Sequence, residues 1–312
     1  MANKEKNFIS AVIYVHNAEM RIEKFLKTII EVLEENFEHS EIICVNDYSD
    51  DSSVAKIKTI SQTATSAGVS ILNMSYFHGV ELAMNAGVDL SIGDFVFEFD
   101  NTYLEFDKTE IMKIYRHSLE GYDIVSAVPN TKEKFSSRLF YKVFDHFANL
   151  SCKMHTETFR ILSRRVINRV SSMNKTVPYR KVLYANCGLK TDMVVYSVSN
   201  IEKDYIEKKE RKYRRTLAVD SLILFTEVGY KISIFMTAAM MLFTIFTLIY
   251  SIAVYLLAHP VAGWTTTILF LSTAFFCLFA ILTIIIKYLQ LLIELVFKRK
   301  NYNFESVEKL TK

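Results

Sequence analysis

Short apolar stretches alternate with longer stretches of helical periodicity along the first hundred residues. "FISAVIYV", "EIICVND", "VSILNMS" and "DFVFEFD" are rich in β-branched and aromatic residues and are typical of buried strands. Each of the first three is followed by a segment with helical spacing. The βαβαβαβ order predicts an α/β domain with a mainly parallel, Rossmann-like sheet covered on both faces.

The helical segments show an apolar face or a capping signal. In "MRIEKFLKTIIEVLEEN" one face carries Ile22, Phe25, Leu26, Ile29, Ile30 and Leu33. "DDSSVAKIKTISQTA" begins with Asp and Ser, which are favoured at helix N-termini, and "GVELAMNAGVDLS" is also read as a helix. These three helices connect the four predicted strands.

Polar residues stand where the predicted strands end, at His16, Asn17, Glu19, Asn46, Asp47, Asp100 and Asn101. Ligands of open α/β sheets bind beyond the carboxyl ends of the strands, so we expect these side chains to meet at one edge. Asn and Asp are also ordinary turn residues, and a turn is the alternative explanation of each position taken alone.

Two long uncharged stretches lie near the C-terminus. Residues 232–258 and 261–286 contain no charged residue, and each exceeds the ~20 residues that cross a bilayer. We predict two transmembrane helices, over about 232–258 and 261–292. A pair of buried core helices is the alternative, but the stretches lack the polar stripe of soluble helices.

The distribution of basic residues predicts the orientation of these spans. Seven Lys and Arg residues fall within 203–215, three follow the second span at 298–300, and the connecting "HPVAG" has none. The positive-inside rule places both termini and the N-terminal domain in the cytoplasm, so the prediction is a multi-pass membrane protein.

The pattern divides the chain into four parts. Residues 1–200 form the α/β domain, 201–230 a basic amphipathic segment at the membrane surface, 231–300 the two spans, and 301–312 a cytoplasmic tail. A solvated charged linker is the alternative for 201–230.

Composition narrows the classes of partner. A net charge of +3 and a pI near 8.5 in 312 residues give no reason to expect nucleic acid as a partner. The four cysteines have no metal-binding spacing and are read as reduced packing residues. No secretory signal is recognised at the N-terminus.

Five stretches of the chain occur in a characteristic order: "AVIYVHNAE", "VNDYSDDSS", "HGVELAMNAGVDLSIGDFV", "TETFRILSRRVINRV" and "KYRRTLAVDSLILF". They resemble successive motifs of the family 2 glycosyltransferases, especially the membrane-bound polyprenyl-phosphate glycosyltransferases related to dolichyl-phosphate mannose synthase. The resemblance covers nearly the whole chain. It implies a nucleotide-sugar-binding domain of the GT-A type followed by the two-helix transmembrane hairpin.

The resemblance also implies roles for individual residues. Nucleotide binding falls on Asn17, Glu19, Asp47 and Ser49, the metal on Asp100, catalysis on Asp100, Glu157 and Arg160, and the acceptor phosphate on Arg160 and Arg164. A divalent cation, Mg²⁺ or Mn²⁺, would offset the charge of the departing nucleotide diphosphate. Arginine suits a phosphate because its fork pairs with two oxygens.

The chain departs from the family pattern at several motif positions. The second aspartate of the Asp-x-Asp metal motif is Thr102, and the aspartate expected before Arg160 is Thr158, beside Glu157. Magnesium or manganese could still bind through Asp100, water and diphosphate oxygens, or with Glu105 or Asp107 as a substitute ligand. Three further departures are Tyr48 for glycine, Phe77 for asparagine and Pro129 for arginine.

Three functions are therefore considered. The first is an inverting transferase that moves a sugar from a nucleotide-sugar donor to a polyprenyl-phosphate or other membrane-associated acceptor, with homo-oligomers through the spans. The second is a catalytically degenerate relative that acts as a membrane scaffold or binding subunit. The third is an unrelated membrane-anchored nucleotide-binding protein.

Overall fold

The computed structural model of the protein describes residues 4–131, 135–147, 154–172, 179–198, 208–225 and 304–311, with isolated helical positions between 232 and 292. The chain forms two compact units. The first comprises Met1–Asp145, Leu150–Leu217 and Arg299–Lys312, and the second comprises His146–Asn149 and Ala218–Lys298. The sheet and the candidate site belong to the first unit.

Eight strands and eight helices are defined in the described residues. The strands are β1 (Ile9–Val15), β2 (Ser40–Asn46), β3 (Gly68–Met74), β4 (Phe95–Phe99), β5 (Ile124–Pro129), β6 (Phe159–Ser163), β7 (Thr191–Tyr196) and β8 (Phe304–Lys309). The helices are α1 (Ile22–Asn36), α2 (Ser53–Ser61), α3 (Val80–Leu90), α4 (Thr109–Ser118), α5 (Phe135–Phe147), α6 (Arg164–Ser172), α7 (Arg180–Asn186) and α8 (Lys208–Phe225).

The eight strands form one sheet in the order β7-β5-β6-β4-β1-β2-β3-β8. The pairs β1–β2, β1–β4, β2–β3 and β5–β7 are parallel, whereas β6 and β8 run antiparallel to their neighbours. The predicted α/β class and the four N-terminal strands are confirmed. The pairing is mixed, because β6 and β8 enter the sheet in the opposite direction.

Apolar side chains cover both faces of the sheet. One cluster joins α1, α2 and α4 to one face, and a second joins α3, α6 and α7 to the other. All six apolar residues predicted on the inner face of α1 are buried. The 3.6-residue period of a helix brings these residues into one apolar stripe, and this stripe packs against the sheet.

Helix α3 lies unusually close to the sheet because of one glycine. A Cβ atom at Gly87 would lie 2.5 Å from Val12 Cγ1 and 2.6 Å from Val45 Cγ2, both on neighbouring strands. Any side chain there would push α3 away from β1 and β2. This close packing holds the C-terminal half of α3 against β1 and β2.

The C-terminal residues add the edge strand β8 beside β3. Asn73 Nδ2 donates to Ser306 Oγ at 3.1 Å, and Val69 N donates to Thr311 Oγ1 at 2.7 Å. Lys58 Nζ also pairs with Glu308 at 2.5 Å. The C-terminal residues predicted to be a tail therefore belong to the sheet. Their six-residue strand pairs with β3, whose edge would otherwise be open.

The predicted spans at about 232–258 and 261–292 lie largely outside the described residues. Within the part of the chain that is described, no helix combines the length and apolar character needed to cross a bilayer. Cys44 and Cys187 are buried free thiols, as predicted, and burial raises the pKa of Cys44 to about 12. Cys152 lies outside the described residues.

Candidate active site

The predicted polar residues meet at one edge of the sheet. Strands β1 to β5 and β7 end there, and β6, which runs the other way, begins there. The residues that follow β1, β2, β3 and β4 therefore lie along the same edge as those that precede β6. This arrangement is the expected location of a ligand site in an open α/β sheet.

The loops after β1 and β2 are tied together by residues predicted to bind a nucleotide. Asn17 Oδ1 accepts a hydrogen bond from Asp50 N at 2.9 Å, and Asn17 N donates to Ser49 Oγ at 3.2 Å. Glu19 Oε2 accepts from Ser52 N at 3.2 Å. The structure thus brings Asn17, Glu19 and Ser49 together, and in it their polar atoms hold the two loops in place.

Asp47 is fully buried at the end of β2 and positions the loop that follows β3. Its Oδ1 accepts from His78 N at 2.8 Å, and its Oδ2 accepts from Gly79 N at 2.8 Å and from the Tyr14 hydroxyl at 2.9 Å. These three hydrogen bonds stabilise the buried carboxylate. Asp47 therefore fixes the backbone of the loop before α3 at the site edge.

Aromatic side chains surround this part of the edge. The rings of Tyr76 and His78 stack with their centroids 3.9 Å apart, and those of His16 and Phe77 are 4.7 Å apart. Tyr48 is half exposed and has a left-handed φ of 57°. Flat, partly exposed rings of this kind suit stacking against a nucleobase. The sequence could have indicated these rings, because aromatic residues follow closely after the ends of the predicted strands.

Asp100, at the end of β4, is held by two arginines. Its Oδ2 lies 2.8 Å from Arg160 Nη2, and its Oδ1 accepts a hydrogen bond from Arg180 Nη2. Burial opposes ionisation of Asp100, but the charges of Arg180 and Arg160 hold its pKa well below the ordinary value. Asp100 is therefore a carboxylate whose two oxygens are both paired.

Glu98 lies behind Asp100 and joins the same two arginines. It is fully buried, and its oxygens accept from Arg160 Nη1 at 2.7 Å, Arg180 Nη1 at 2.8 Å and the Tyr184 hydroxyl at 2.7 Å. Glu98 and Asp100 are two residues apart on one strand and share a face. Each guanidinium therefore bridges the two carboxylates, with one charge-assisted hydrogen bond to Glu98 and one to Asp100.

Three more charged side chains complete this set of buried ion pairs. Glu157 forms ion pairs with Arg160 Nη2 at 2.8 Å and Lys181 Nζ at 3.2 Å, and Glu81 accepts a hydrogen bond from Arg180 Nε at 3.1 Å. We call the whole set the ion cluster: Glu81, Glu98, Asp100, Glu157, Arg160, Arg180 and Lys181.

The carboxylates of the ion cluster differ in their electrostatic environment. Burial would raise the pKa of Glu157, but the charges of Arg160 and Lys181 lower it overall. Burial dominates at Glu81, whose pKa is raised in spite of Arg180. The pKa of Arg160 is raised because the attraction of Glu157, Asp100 and Glu98 exceeds the cost of burial. Glu157 is thus an ionised carboxylate near neutral pH.

The residues near Asp100 do not fit the predicted Mg²⁺ or Mn²⁺ site. Thr102, at the second aspartate position, is buried, and its hydroxyl accepts from Arg21 Nε at 3.4 Å. Asp107 Oδ1 accepts from the backbone of Thr109, the first residue of α4, at 2.9 Å. In the described part of the chain, no group of three or more Asp, Glu, His or Cys residues is placed to hold a metal. Both oxygens of Asp100 already have cationic partners.

The predicted role of Arg164 in phosphate binding does not match its position. β6 runs away from the site edge, and Arg164 follows Arg160 by four positions, which corresponds to roughly 13 Å along a strand. Arg164 Nε instead donates to the Gly93 carbonyl at 2.8 Å, before the start of β4. The structure therefore places Arg160 at the site edge and Arg164 near the opposite edge.

A cavity of about 210 Å³ opens beside the ion cluster, between β5, β7 and α7. Its lining combines the charged Glu157, Arg160 and Lys181 with apolar residues that include Val128 and Met154. The Arg160 Nε–H is buried and has no hydrogen-bond partner among the described residues. A buried donor without a partner is costly, so an acceptor group bound here would satisfy it.

Sequence reasoning missed Glu81, Glu98, Arg180 and Lys181. One signal was available: Glu98 is a charged residue inside the apolar run "FVFEF", and a buried charge needs a partner. The identity of that partner was not available, because Arg180 lies 82 residues further along the chain.

Comparison with known proteins finds relatives whose names describe glycosyl or glucosyl transfer. The chain is 29% identical over 194 residues to an uncharacterised glycosyltransferase of Synechocystis sp., covering 60% of each chain. It is 27% identical over 198 residues to a prophage bactoprenol glucosyl transferase homologue of Escherichia coli, covering 60% of this chain and 62% of that protein. The match thus spans about three fifths of these relatives.

A solved structure of glucosyl-3-phosphoglycerate synthase from Mycobacterium tuberculosis superposes with a TM-score of 0.48 and 14% identity, covering 70% of this chain and 79% of that one. Residues 10–171, more than half of the chain, match the family model for glycosyl transferase family 2. That range contains β2 to β6, all of β1 except Ile9, and all the site residues predicted from the sequence. The chain is therefore a member of glycosyl transferase family 2.

Proposed function

We propose that this protein transfers a sugar from a nucleotide-diphosphate donor to a polyprenyl-phosphate acceptor. Several curated relatives are called bactoprenol glucosyl transferases, and bactoprenol supplies the precedent for the acceptor. The observation that carries the proposal is the position of the ion cluster at the site edge. It separates the aromatic loops after β1, β2 and β3 from the cavity beside β5 and β7.

The aromatic side of the edge suits the nucleotide. Tyr48 and Tyr76 are each about half exposed and offer ring faces for the base beside the loops tied by Asn17 and Ser49, while the buried His78 ring supports Tyr76 from behind. Stacking of a base on an aromatic ring contributes about 1–3 kcal/mol. In this arrangement the diphosphate points along the edge towards Asp100.

The cavity side suits the acceptor phosphate. Arg160 offers its unpaired Nε–H, and Lys181 brings a second positive charge to the same wall. The apolar part of the lining accommodates the first carbon units of a polyprenyl chain. The attraction of the two cationic groups for the phosphate is increased by their burial.

The proposed reaction is a single displacement at the anomeric carbon. An oxygen of the acceptor phosphate forms a bond to that carbon while the carbon–oxygen bond to the nucleotide diphosphate breaks, which inverts the configuration. The acceptor phosphate is already ionised near neutral pH, so proton removal contributes little. Glu157 then acts mainly by orienting Arg160 and Lys181, which it contacts at 2.8 and 3.2 Å.

Membrane anchoring belongs to the same proposal. The uncharged stretches 232–258 and 261–286 are long enough to cross a bilayer, and a membrane-embedded acceptor requires access to the lipid. The pairing of β8 with β3 supports an even number of crossings between α8 and β8, because both strands belong to the same compact unit. We propose that this unit faces the cytoplasm, as the basic flanks of the spans predict.

A second function is favoured by one specific observation. The aspartate positions of two family motifs carry Thr102 and Thr158, and the remaining Asp100 is fully paired. A nucleotide-binding membrane scaffold that has lost transfer would retain the fold and tolerate these changes. It predicts donor binding without turnover.

The test is a transfer assay with the detergent-solubilised full chain. The protein is incubated with undecaprenyl phosphate and a panel of UDP- and GDP-sugars, and the lipid fraction is analysed by mass spectrometry. We expect a glycosylated lipid phosphate with one donor class. Donor binding without any such product would reject the transferase and leave the scaffold.

Two lysine variants sharpen this assay. Lys181→Met removes the charge that lines the cavity, and we expect transfer to fall at least tenfold through weaker acceptor binding. Lys190→Met removes an exposed lysine on the loop before β7 and should retain wild-type transfer. Equal rates in the two variants would remove Lys181 from the acceptor site.

A further inference from the structure

The two arginines of the ion cluster contact both oxygens of Asp100, the residue predicted to bind a divalent cation. Arg160 and Arg180 each take one oxygen of the carboxylate, and both guanidiniums also bind Glu98 directly behind it. The Asp100 side chain is 26% exposed, whereas those of the arginines are 2% and 3% exposed. The positive charge beside Asp100 is thus built into the protein interior.

The charge balance of the ion cluster leaves little attraction for an added dication. Its four carboxylates are opposed by three cationic side chains, so the cluster is nearly neutral without a metal. A metal at Asp100 would have to share both carboxylate oxygens with the arginines and would lie next to both guanidiniums. Unlike Asp-x-Asp, the chain has no second carboxylate at position 102 to offset this repulsion.

We infer that Arg160 and Arg180 take the place of the divalent cation at Asp100, so that the chain binds a nucleoside diphosphate without a metal. The inference rests on the proposed function for the identity of the ligand. Guanidinium groups pair with phosphate oxygens through charge-assisted hydrogen bonds and cannot be deprotonated near neutral pH. They therefore supply a permanent positive charge that chelators do not remove.

Donor groups remain for this role after the ion pairs are made. The Arg180 side chain uses one hydrogen bond at each of its three nitrogens, to Glu81, Glu98 and Asp100, out of five N–H groups. The Arg160 Nε–H is assigned to the acceptor phosphate in the proposed function. Oxygens of a diphosphate next to Asp100 would therefore use the two N–H groups that remain on Arg180.

The first experiment uses the full wild-type chain in detergent. Binding of Mn²⁺ alone is measured by electron paramagnetic resonance, and binding of UDP and GDP is measured by calorimetry in EDTA and in Mn²⁺. We expect the spectrum of free Mn²⁺ to be unchanged by the protein. For the nucleotide that binds, we expect Kd in EDTA and in Mn²⁺ to agree within about twofold.

Substitution of Arg180 tests the mechanism. Arg180→Gln frees Asp100 and Glu98, so we expect Mn²⁺ binding to appear and nucleotide affinity in EDTA to fall about tenfold or more. Arg180→Lys keeps the charge and should not gain Mn²⁺ binding, which keeps the test valid if Arg180→Gln fails to fold. Arg116→Gln, on the exposed side of α4, is the control and should leave both measurements unchanged.

The outcomes separate the inference from the proposed function. Mn²⁺ bound by the wild-type chain alone, or nucleotide bound only with Mn²⁺, would overturn the inference and leave the transferase proposal standing. Failure of every nucleotide under both conditions would instead count against the proposed function. In that case the manganese spectra of the wild type and the Arg180 variants still decide whether arginine excludes the metal.

Discussion

Glu98 Oε2 accepts a hydrogen bond from Arg160 Nη1 at 2.7 Å, and both side chains are buried in the middle of the sheet. The contact joins β4 to β6, which are antiparallel neighbours in register at these two residues. A buried ion pair of this kind contributes little net stability compared with apolar residues, but removal of one partner is costly. The Glu98–Arg160 pair instead fixes the direction of the Arg160 guanidinium, which points towards Asp100.

Removal of the Glu98 charge should therefore destabilise the protein. For Glu98→Gln we expect a loss of about 3–5 kcal/mol, because two buried arginines lose their shared partner. That corresponds to a lower midpoint of thermal unfolding by roughly 10 °C. The midpoint can be followed by the reaction of a maleimide dye with thiols such as Cys44 and Cys187, which are buried in the folded state.

The matched control for Glu98 is a surface ion pair. Glu35→Gln removes a side chain that is 57% exposed and lies 3.9 Å from Lys108. Exposed pairs contribute about 0–1 kcal/mol, so the midpoint should stay within a few degrees of the wild type. Similar midpoints for both variants would show that loss of the buried ion pair costs no more stability than loss of the exposed one.

The stability contributed by Glu157 should depend on acidity. Its pKa in the folded protein is lowered from 4.5, so its ionised form is favoured by folding. The contribution is complete above pH 4.5 and is lost as the pH falls through the lower folded value. We expect wild type and Glu157→Gln to differ in thermal midpoint at pH 7 and to converge as the pH is lowered below 4.5 and Glu157 becomes protonated in the folded protein.

The pH series needs the same surface control. Glu35→Gln should differ little from the wild type at either pH, because its ion pair is exposed to solvent. A difference between wild type and Glu157→Gln that persists unchanged at acidic pH would contradict the ionised state assigned to Glu157.

Tyr48 combines backbone strain with an exposed ring. Its φ of 57° is left-handed, which is unfavourable for residues with a Cβ atom, and the family places glycine at this position. Tyr48→Gly should relieve the strain and raise stability by about 0.5–1 kcal/mol, net of the chain entropy of glycine. Tyr48→Ala retains the strain and should not gain stability.

The same two variants test the role of the ring. If Tyr48 stacks on the base, both variants should weaken nucleotide binding by a similar factor, about fivefold or more for a loss of 1 kcal/mol. Calorimetric titration of the nucleotide gives this factor directly. Unchanged affinity in both variants would leave the strained backbone without a ligand-binding explanation.

Gly87 sets the distance between α3 and the sheet. Gly87→Ala would place a Cβ atom 2.5 Å from Val12 and 2.6 Å from Val45, so we expect destabilisation by about 1–3 kcal/mol through overpacking. Gly68→Ala is the matched control, because its nearest contact would be 3.8 Å away. Equal thermal midpoints for the two variants would show that α3 can shift without cost.

The sequence predicted those parts of the fold that depend on local periodicity. The apolar run before Asp100 and the apolar face from Ile22 to Leu33 each indicate an element without reference to the rest of the chain. The parallel order of the first four strands follows, because right-handed connections between parallel strands leave few alternatives. The position of Asp47 and Asp100 at one edge is a consequence of that order.

The remainder of the site depends on contacts between distant segments. Arg180 meets Glu81, Glu98 and Asp100 across 80 or more residues, and no local pattern reports such a pairing. Arg164 is the opposite case. The motif assigned it to the same phosphate site as Arg160, which is close in sequence, but β6 places Arg164 near the opposite edge of the sheet. Motif order predicts the family, but the direction of each strand decides which residues meet.

The edge strand β8 has a consequence for biosynthesis. Asn73 and its partner Ser306 are 233 residues apart, so the ribosome completes β3 long before β8 has been made. At about 5–20 residues per second the exposed edge of β3 waits on the order of 10–50 s for its partner. An open edge strand is a site for wrong pairing, so the nascent domain reaches its final protected form only after the apolar stretches between α8 and β8 have been synthesised.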